Sequence, residues 1–475
     1  MMPQPISDID GQWIEREFAT VDLSDDRLTG RFLDVAKSLA ASPEKPIGQA
    51  CGSKARLKGA YRLFGNENFD VSEMLTSHYS ETSKRYSGEK TVLVIQDTSQ
   101  IDYSGHKKTT GIGGLGRENT DGDRSIFFHP ALALTTEGTP LGLVSYRSYT
   151  RTSPETGDRE ARRKKRLSKK LSEKESARWI DALEETASNI DLSKHRVINI
   201  ADRECDSYAF MVAAMQKGMS FIVRSKGDRH IELPSGNLEN IKVALRSQDS
   251  QATLTLEVSN NNGTEARTVL AEVKFTTAKL PVPVLASKLD LIDRPKVEKI
   301  SIVLVEEIGT KAKKPVSWLL ITDLPISNIK DAIQVVEWYR LRWSIEIYFK
   351  ILKSGCRIED CRLQSFDKLN RYIALKAVIA FRIFYLSRVS RANPDIKCTA
   401  ILPDLEWRAL YMRANRTNKL PKEPPTILEA VTMIARLGGY QARKGDPPPG
   451  PIVMWRGWSV LTEALETLKI MGGSG

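Results

Sequence analysis

Cysteine is sparse in this sequence and scattered. Its five residues (Cys51, Cys205, Cys356, Cys361 and Cys398) make an odd set with no secretory framework. Cys356 and Cys361 are close, but no second pair and no histidine pair completes a zinc site. All five are expected to be reduced thiols in a cytoplasmic protein. The opening MMPQPISDIDGQWIEREF lacks a basic segment followed by an apolar one, so no signal peptide is expected there. Long apolar runs are missing too. The most apolar one, Tyr372 to Leu386, contains Lys376 and Arg382, is too short to span a bilayer, and reads as a buried helix. There is no internal repeat. Acidic charge is outnumbered: the net charge is +12 and the pI about 9.3, which points to a polyanionic partner, nucleic acid first. The 475 residues, 41% of them hydrophobic, are enough for two to four domains with a sizeable core.

Residues 1–72 read as a small helical module. Ser24 is positioned to cap a helix through DDRLTGRFLDVAKSLAA, with Leu28, Phe32, Val35 and Leu39 at helical spacing. A turn marked by Pro46, Gly48 and Gly52 leads to SKARLKGAYRLFGN, which carries Lys54, Arg56, Lys58 and Arg62. This pattern suits a major-groove reader and equally a helical hairpin with a solvated basic side.

The run TVLVIQDTS predicts a buried strand over 91–96 that delivers Asp97 at its carboxyl end. Strand patterns come next around Phe127–Leu134 and Leu141–Tyr149, suggesting a meander. Gly111 to Gly116 spells G-x-G-x-x-G, but strand signals rather than a helix come after it, so it reads as a loop. Arg159 to Arg178 is helix-forming and densely basic, including Arg162, Arg163, Lys164, Lys165, Arg166, Lys169, Lys170 and Lys174, and is a candidate sequence-blind contact to a phosphate backbone. A second buried strand, Val197–Ala201, delivers Asp202, with Arg203, Glu204 and Asp206 just beyond. Short β patterns fill 224–326, with a hairpin cue at Asn260-Asn261-Asn262-Gly263. They read as a β-rich insertion separating the second aspartate from a long helical stretch. Trp318, on the last of these strands, reads first as a core residue and second as a surface for stacking on a base.

That helical stretch is NIKDAIQVVEWYRLRWSIEIYFKILKSG, Asn328 to Gly355, which predicts one long helix capped by Ser327 or Asn328 and stopped by Gly355. At about 100° per residue, Tyr339, Arg342, Glu346, Lys350 and Lys353 fall on one stripe, with Leu341, Ile345, Ile351 and Leu352 opposite. Asp97, Asp202 and Glu346 converging would repel unless cations cancelled their charge. Hard oxygen donors favour Mg²⁺, with Mn²⁺ as substitute. Two ions roughly 4 Å apart would activate a water or hydroxyl and stabilise the leaving oxygen of a phosphodiester. Arg342, Lys350 and Lys353 would then hold phosphate oxygens. After this helix, Phe366 to Arg391 reads as a core helix broken at Asn393-Pro394. Helical signals at Pro425–Leu437 and Trp458–Ile470 suit a homodimer interface or packing on the core.

These residues carry a resemblance. Asp97, Asp202 and Glu346 resemble the D…D…E set of RNase H-like transposases. Tyr339, Arg342, Glu346 and Lys353 match the Y-x-x-R-x-x-x-E-x-x-x-x-x-x-K signature of the insertion-sequence-four (Tn-five-like) family of DDE transposases. ADREC after Ile200, FIVRSK at Phe221, SWLLITD at Ser317, EKESARW at Glu173 and ARLGGY at Ala435 agree as well. The resemblance implies a mixed α+β and α/β protein: an N-terminal helical DNA-binding domain (1–72), an RNase H-like, retroviral-integrase-like catalytic domain (73–392), and a C-terminal helical dimerisation domain (393–475). It implies a homodimer holding double-stranded DNA, both transposon ends and target, with no membrane. The expected site is the bacterial cytoplasm, in association with the nucleoid when DNA is bound. Cut-and-paste transposition would proceed by nicking, hairpin formation and resolution, and strand transfer. Trp318 would stack on a flipped-out base with Trp343, Tyr339 and Arg342 near the kinked strand, and Arg224 would contact the backbone. SIFFHP replaces a tryptophan-containing stretch of the family, and the N-terminal module matches loosely, around AYRLFGN. Two rivals share these features: a structure-selective nuclease or resolvase on the same fold, and a catalytically inactive DNA-binding regulator.

Overall fold

The computed structural model describes residues 13–472 apart from 114–123, 152–157, 159, 161–173, 259–266, 284–296, 298, 310–311, 313–314 and 447. Half of the glycine-rich segment (114–116), the basic run up to 173 apart from residue 160, and the Asn260–Gly263 turn therefore lie outside the described residues. In chain order come helices α1 (Trp13–Glu17), α2 (Asp26–Ala41), α3 (Ile47–Ala50), α4 (Lys54–Phe64) and α5 (Val71–Tyr86). Strands β1 (Thr91–Gln96), β2 (Ser99–Asp102), β3 (Ser125–Leu134) and β4 (Pro140–Tyr149) precede α6 (Ala177–Asn189), β5 (Arg196–Ala201), α7 (Tyr208–Gln216) and β6 (Ser220–Arg224). Next are β7 (His230–Glu232), β8 (Leu238–Asn240), α8 (Ile241–Arg246), β9 (Ala252–Val258), β10 (Arg267–Ala278), β11 (Ile300–Glu307) and β12 (Ser317–Thr322). The rest is helical: α9 (Ile329–Arg340), α10 (Trp343–Lys350), a π-helical turn (Ile351–Gly355), α11 (Phe366–Ala392), α12 (Asp404–Asn415), α13 (Ile427–Leu437) and α14 (Pro451–Gly472).

The chain divides into two compact units. One comprises Met1–Glu89, Thr98–Asp158 and Ser344–Gly475, and the other Lys90–Asp97 and Arg159–Trp343.

In the first unit, α2 buries Leu28, Phe32, Val35 and Leu39 as its periodicity predicts. Its cap is Asp25, not Ser24. Asp25 is extended and accepts a 2.8 Å bond from the Leu28 N–H, whereas Ser24 takes a positive φ of 60° and so cannot hold the cap conformation. Ser53 caps α4, which buries Ala60, Leu63 and Phe64 and exposes Lys54, Arg56, Lys58 and Arg62. A buried ion network ties α1, α5 and β4. Arg85 donates to both oxygens of Glu17 at 2.9 Å and to the Leu141 carbonyl, while His78 bonds Glu17 through Nδ1 and accepts from the Leu143 N–H at 2.9 Å. Strands β3 and β4 form the expected antiparallel pair, and β2, which the sequence pattern does not predict, pairs antiparallel with β3 on its other side. The run Tyr372–Leu386 is buried along α11, and Lys376 within it donates to the Pro43 carbonyl at 2.8 Å.

The C-terminal helices bury their apolar faces within this unit: Ile427, Val431 and Ile434 on α13, and Met454, Trp455, Trp458 and Leu461 on α14. They cross backbone to backbone. A Cβ at Gly438 would lie 1.9 Å from the Val453 carbonyl oxygen, and one at Gly457 1.7 Å from that of Ile434. Helix α12 breaks the stretch before them, where the sequence pattern predicts no helix.

The second unit is built on a sheet ordered β1-β5-β6-β12-β11-β10-β9. The three leading strands are parallel, and from β6 onward the pairs are antiparallel. The β-rich stretch expected to be an insertion is thus continuous with β1, β5 and β6 in one sheet, joined where Leu320 of β12 faces Arg224 of β6. Helix α9 packs on β10 and β11 through Ala332, Val335, Val336 and Tyr339, and Asn328 with Asp331 forms its capping box.

The segment after α9 corrects the expectation of one long helix. Leu341 donates to Trp338 O at 3.1 Å and Arg342 to Tyr339 O at 3.0 Å, so the turn tightens to i→i+3 bonding and α9 ends. Helix α10 restarts at Trp343, where the two units meet in sequence, and ends in the π-helical turn. Gly355, expected as a helix stop, also accommodates a close neighbour: a Cβ there would sit 2.7 Å from the Trp455 ring.

Candidate active site

Strands β1 and β5 pair in parallel from Thr91↔Arg196 to Ile95↔Ile200. Both run carboxyl end the same way, so Asp97 and Asp202 leave the sheet at one edge, two residues past that last pair. Between the strands, Gln96 Nε2 donates to Asn199 Oδ1 at 3.1 Å, holding the edge in register. Asp202 begins a 3₁₀ turn (Arg203–Cys205), and its carboxylate accepts from the Glu204 N–H at 2.7 Å. Asp97 is largely buried, and its Oδ2 lies 3.0 Å from Arg342 Nη1, with the two side chains 12% and 15% exposed.

Arg342 sits in the break after α9, and from there its side chain reaches Asp97. Tyr339 lies beside it, 4% exposed and edge-on to Trp318 at 5.5 Å between ring centres. Burial pushes the Tyr339 phenol above its ordinary value, while the guanidiniums of Arg342 and Arg224 pull it down and Asp202 pushes it up. Tyr339 is therefore a packed side chain. Arg224 donates from Nη2 to the Ser317 carbonyl at 3.0 Å, bracing β6 against β12. Trp318 is half-buried, and Trp343 is 37% exposed. Cys205 lies just after Asp202. Burial raises its thiol well above the ordinary value, and Asp202 and Asp206 add to the rise, so it stays protonated.

The remaining sequence candidates belong to the first unit. Glu346 is half-buried in the first turn of α10, and Lys350 is exposed in its last. Lys353, in the π-helical turn, donates to the Gln100 carbonyl at 2.8 Å and pairs with Glu359 at 3.3 Å. Glu359 in turn accepts from the Asp102 N–H at 3.0 Å. Lys54, Arg56, Lys58 and Arg62 line the exposed side of α4, where Arg56 joins Arg27 and Arg31 around a groove of about 410 Å³ between α2 and α4.

Within the second unit, two carboxylates stand at one sheet edge, and no group of three His, Cys, Asp or Glu side chains there is gathered to hold a metal among the described residues. The donors are hard oxygens, and a guanidinium already offsets the charge of one of them. Such a pair fits a divalent ion of the Mg²⁺ class in kind, with a third ligand needed from another element. Sequence reasoning missed two features here. The Arg342–Asp97 pair spans 245 residues and leaves no local trace. Asp206, in the run after Asp202, has a fully buried side chain that makes several bonds; its signal was only its place in that acidic run.

Family models match the chain in three places: the transposase DNA-binding description over 10–69, the transposase DDE domain over 171–382, and the transposase Tn5 dimerisation domain over 378–470. Asp97 lies ahead of the second match, and Asp202 and Glu346 lie within it. Among the described residues, no helix is long and apolar enough to cross a membrane.

Proposed function

The chain is a Tn5-like DDE transposase, with DNA-binding, DDE and dimerisation domains in that order and a homodimer as its assembly, and from that premise we propose that it performs cut-and-paste transposition with Asp97, Asp202 and Glu346 as its acids. DDE domains generally act as divalent-metal-dependent nucleases and transesterases. The observation that supports the acid assignment most is the emergence of Asp97 and Asp202 side by side from the parallel strands β1 and β5.

When bound, Mg²⁺ (or Mn²⁺), two ions per site, would supply an activated water or 3′ hydroxyl and stabilise the leaving oxygen. The protein's own groups do the rest. Asp97 and Asp202 present oxygens from a rigid sheet edge, and Glu346 adds its carboxylate from α10. Arg342 balances the charge of Asp97 and is placed to hold a non-bridging phosphate oxygen. Arg224, Lys350 and Lys353 track the flanking backbone, and Trp318 and Trp343 stack on the base displaced when the strand end closes into a hairpin. Exposed Lys54, Arg56, Lys58 and Arg62 on α4 contact the transposon end repeats. The protein acts on DNA in the bacterial cytoplasm.

The test is an incubation of the full-length protein, Mg²⁺ and a labelled transposon-end duplex with plasmid. Insertion of the label into plasmid is expected, whereas cleavage without joining would favour a nuclease. Asp97→Asn, Asp202→Asn and Glu346→Gln should each keep DNA binding and lose cleavage. A variant that cuts at the wild-type rate removes that residue from the site.

A further inference from the structure

We propose that Asp206 is a positioning residue that fixes Asp202 and Arg224 with respect to each other. The proposal rests on the reading of Asp202 as a metal-holding acid.

The parallel pair β5–β6 ends at Ala201↔Val223, so Asp202 and Arg224 lie one residue past that last pair, Arg224 as the final residue of β6, where it still faces Leu320 of β12. Beyond these residues the β5–β6 ladder no longer ties the turn after Asp202 to the segment after Arg224. Asp206 closes that gap. Its side chain is fully buried at the end of the 3₁₀ turn begun by Asp202. Its Oδ2 accepts from the Lys226 N–H at 2.7 Å, lies 3.2 Å from the Ser225 hydroxyl, and pairs with the Arg229 guanidinium. The carboxylate therefore latches the residues immediately after Arg224 to the turn immediately after Asp202.

The cost of this arrangement argues for a use. A buried carboxylate loses its hydration, and here Oδ1 is buried without a hydrogen-bond partner. Asp202 stands four residues away with charge of the same sign. Packing alone would be served by a neutral side chain. What the charge adds is a rigid crossing between the two strands that carry an acid and a phosphate-contact residue, comparable to the outer groups that orient metal ligands.

The experiment measures Mn²⁺ binding directly, by electron paramagnetic resonance, on the full-length protein with an end duplex. Asp206→Asn, which keeps the shape and loses the charge, should weaken Mn²⁺ binding at least about tenfold, the size typical of losing such an outer group. Duplex affinity should stay within about twofold of wild type, well inside that change. Arg229→Ala should weaken Mn²⁺ binding in the same direction and Arg229→Lys should restore it, which also serves if Asp206→Asn fails to fold. Asp202→Asn is the control. If it abolishes a binding step while Asp206→Asn and Arg229→Ala leave Mn²⁺ affinity unchanged, the positioning role is overturned and the acid assignment stands. If Asp202→Asn itself changes nothing, the acid assignment fails and the positioning role falls with it.

Discussion

Arg342 holds Asp97 across 245 residues of sequence, with 3.0 Å between Nη1 and Oδ2 and little of either side chain exposed. A cation on a carboxylate competes with any metal ion that the carboxylate would hold, as proposed for Asp97. Arg342→Gln should therefore tighten Mn²⁺ binding to the DNA-free protein, by isothermal titration. The same change should slow cleavage of an end duplex by a factor on the order of 10² or more, as loss of a group facing developing charge does. Weaker metal binding in this variant would show that Arg342 helps to shape the ligand set instead.

Trp318 is half-buried against Tyr339, so part of its ring is open to a partner. Trp318→Ala should leave the first nick at its normal rate and depress hairpin formation. Loss of about 1–3 kcal/mol of stacking sets the scale, roughly fivefold to 150-fold. Time courses on denaturing gels separate the two steps, and equal loss at both would assign Trp318 to packing.

The four exposed cations of α4 give a salt prediction. Alanine at Lys54, Arg56, Lys58 or Arg62 should weaken end-duplex binding and lower the slope of log affinity against log salt by about 0.9 for each phosphate left without its cation. A slope unchanged in all four variants would leave α4 off the DNA.

The Glu17–His78–Arg85 network predicts acid sensitivity. Burial alone would raise Glu17, but Arg85 and His78 outweigh it and bring its pKa from 4.5 down to about 2. Burial also lowers His78, against the opposing pull of Glu17. In both cases the unfolded chain takes up protons first as pH falls. The contribution of His78 should begin to drain below about pH 6.5 and that of Glu17 below about 4.5, toward 2. Glu17→Gln strands Arg85 and should cost about 3–5 kcal/mol at neutral pH. Denaturant melts across pH test both statements.

Gly457→Ala places a methyl group 1.7 Å from the Ile434 carbonyl oxygen, and Gly438→Ala does the reciprocal damage at Val453. The α13–α14 pair must then separate, at a cost of about 1–3 kcal/mol or more. Thermal melting and the sedimentation of the dimer should both report it.

Much of the architecture is legible in the sequence. The run of apolar residues before Asp97 marks β1 at its observed ends, and β5 begins one residue earlier than its pattern suggests. Tyr372–Leu386 is buried as expected despite Lys376 and Arg382, because both cations find backbone carbonyls. The break at Leu341–Arg342 is hidden, since a periodicity of 100° per residue carries no record of i→i+3 bonding. The stripe pattern groups Tyr339 with Lys350, yet Tyr339 is buried and Lys350 exposed, a difference set by tertiary packing that periodicity does not record. The Asp25 cap is obscured by Ser24, an equally good capping residue whose backbone turns the other way. Pairing of β12 with β6 depends on residues about a hundred positions apart in the chain, which local pattern cannot encode.

The polypeptide passes between its two units at residues 89–90, 97–98, 158–159 and 343–344. Neither unit can be released by a single cut. A fragment trimmed to the span of the DDE match would begin at 171 and omit β1, taking away both a central strand and Asp97. Activity in such a fragment would have to be restored by supplying 90–97 in trans or by circular permutation, and genetic truncations that look domain-sized will remove the proposed acid Asp97 along with the flank.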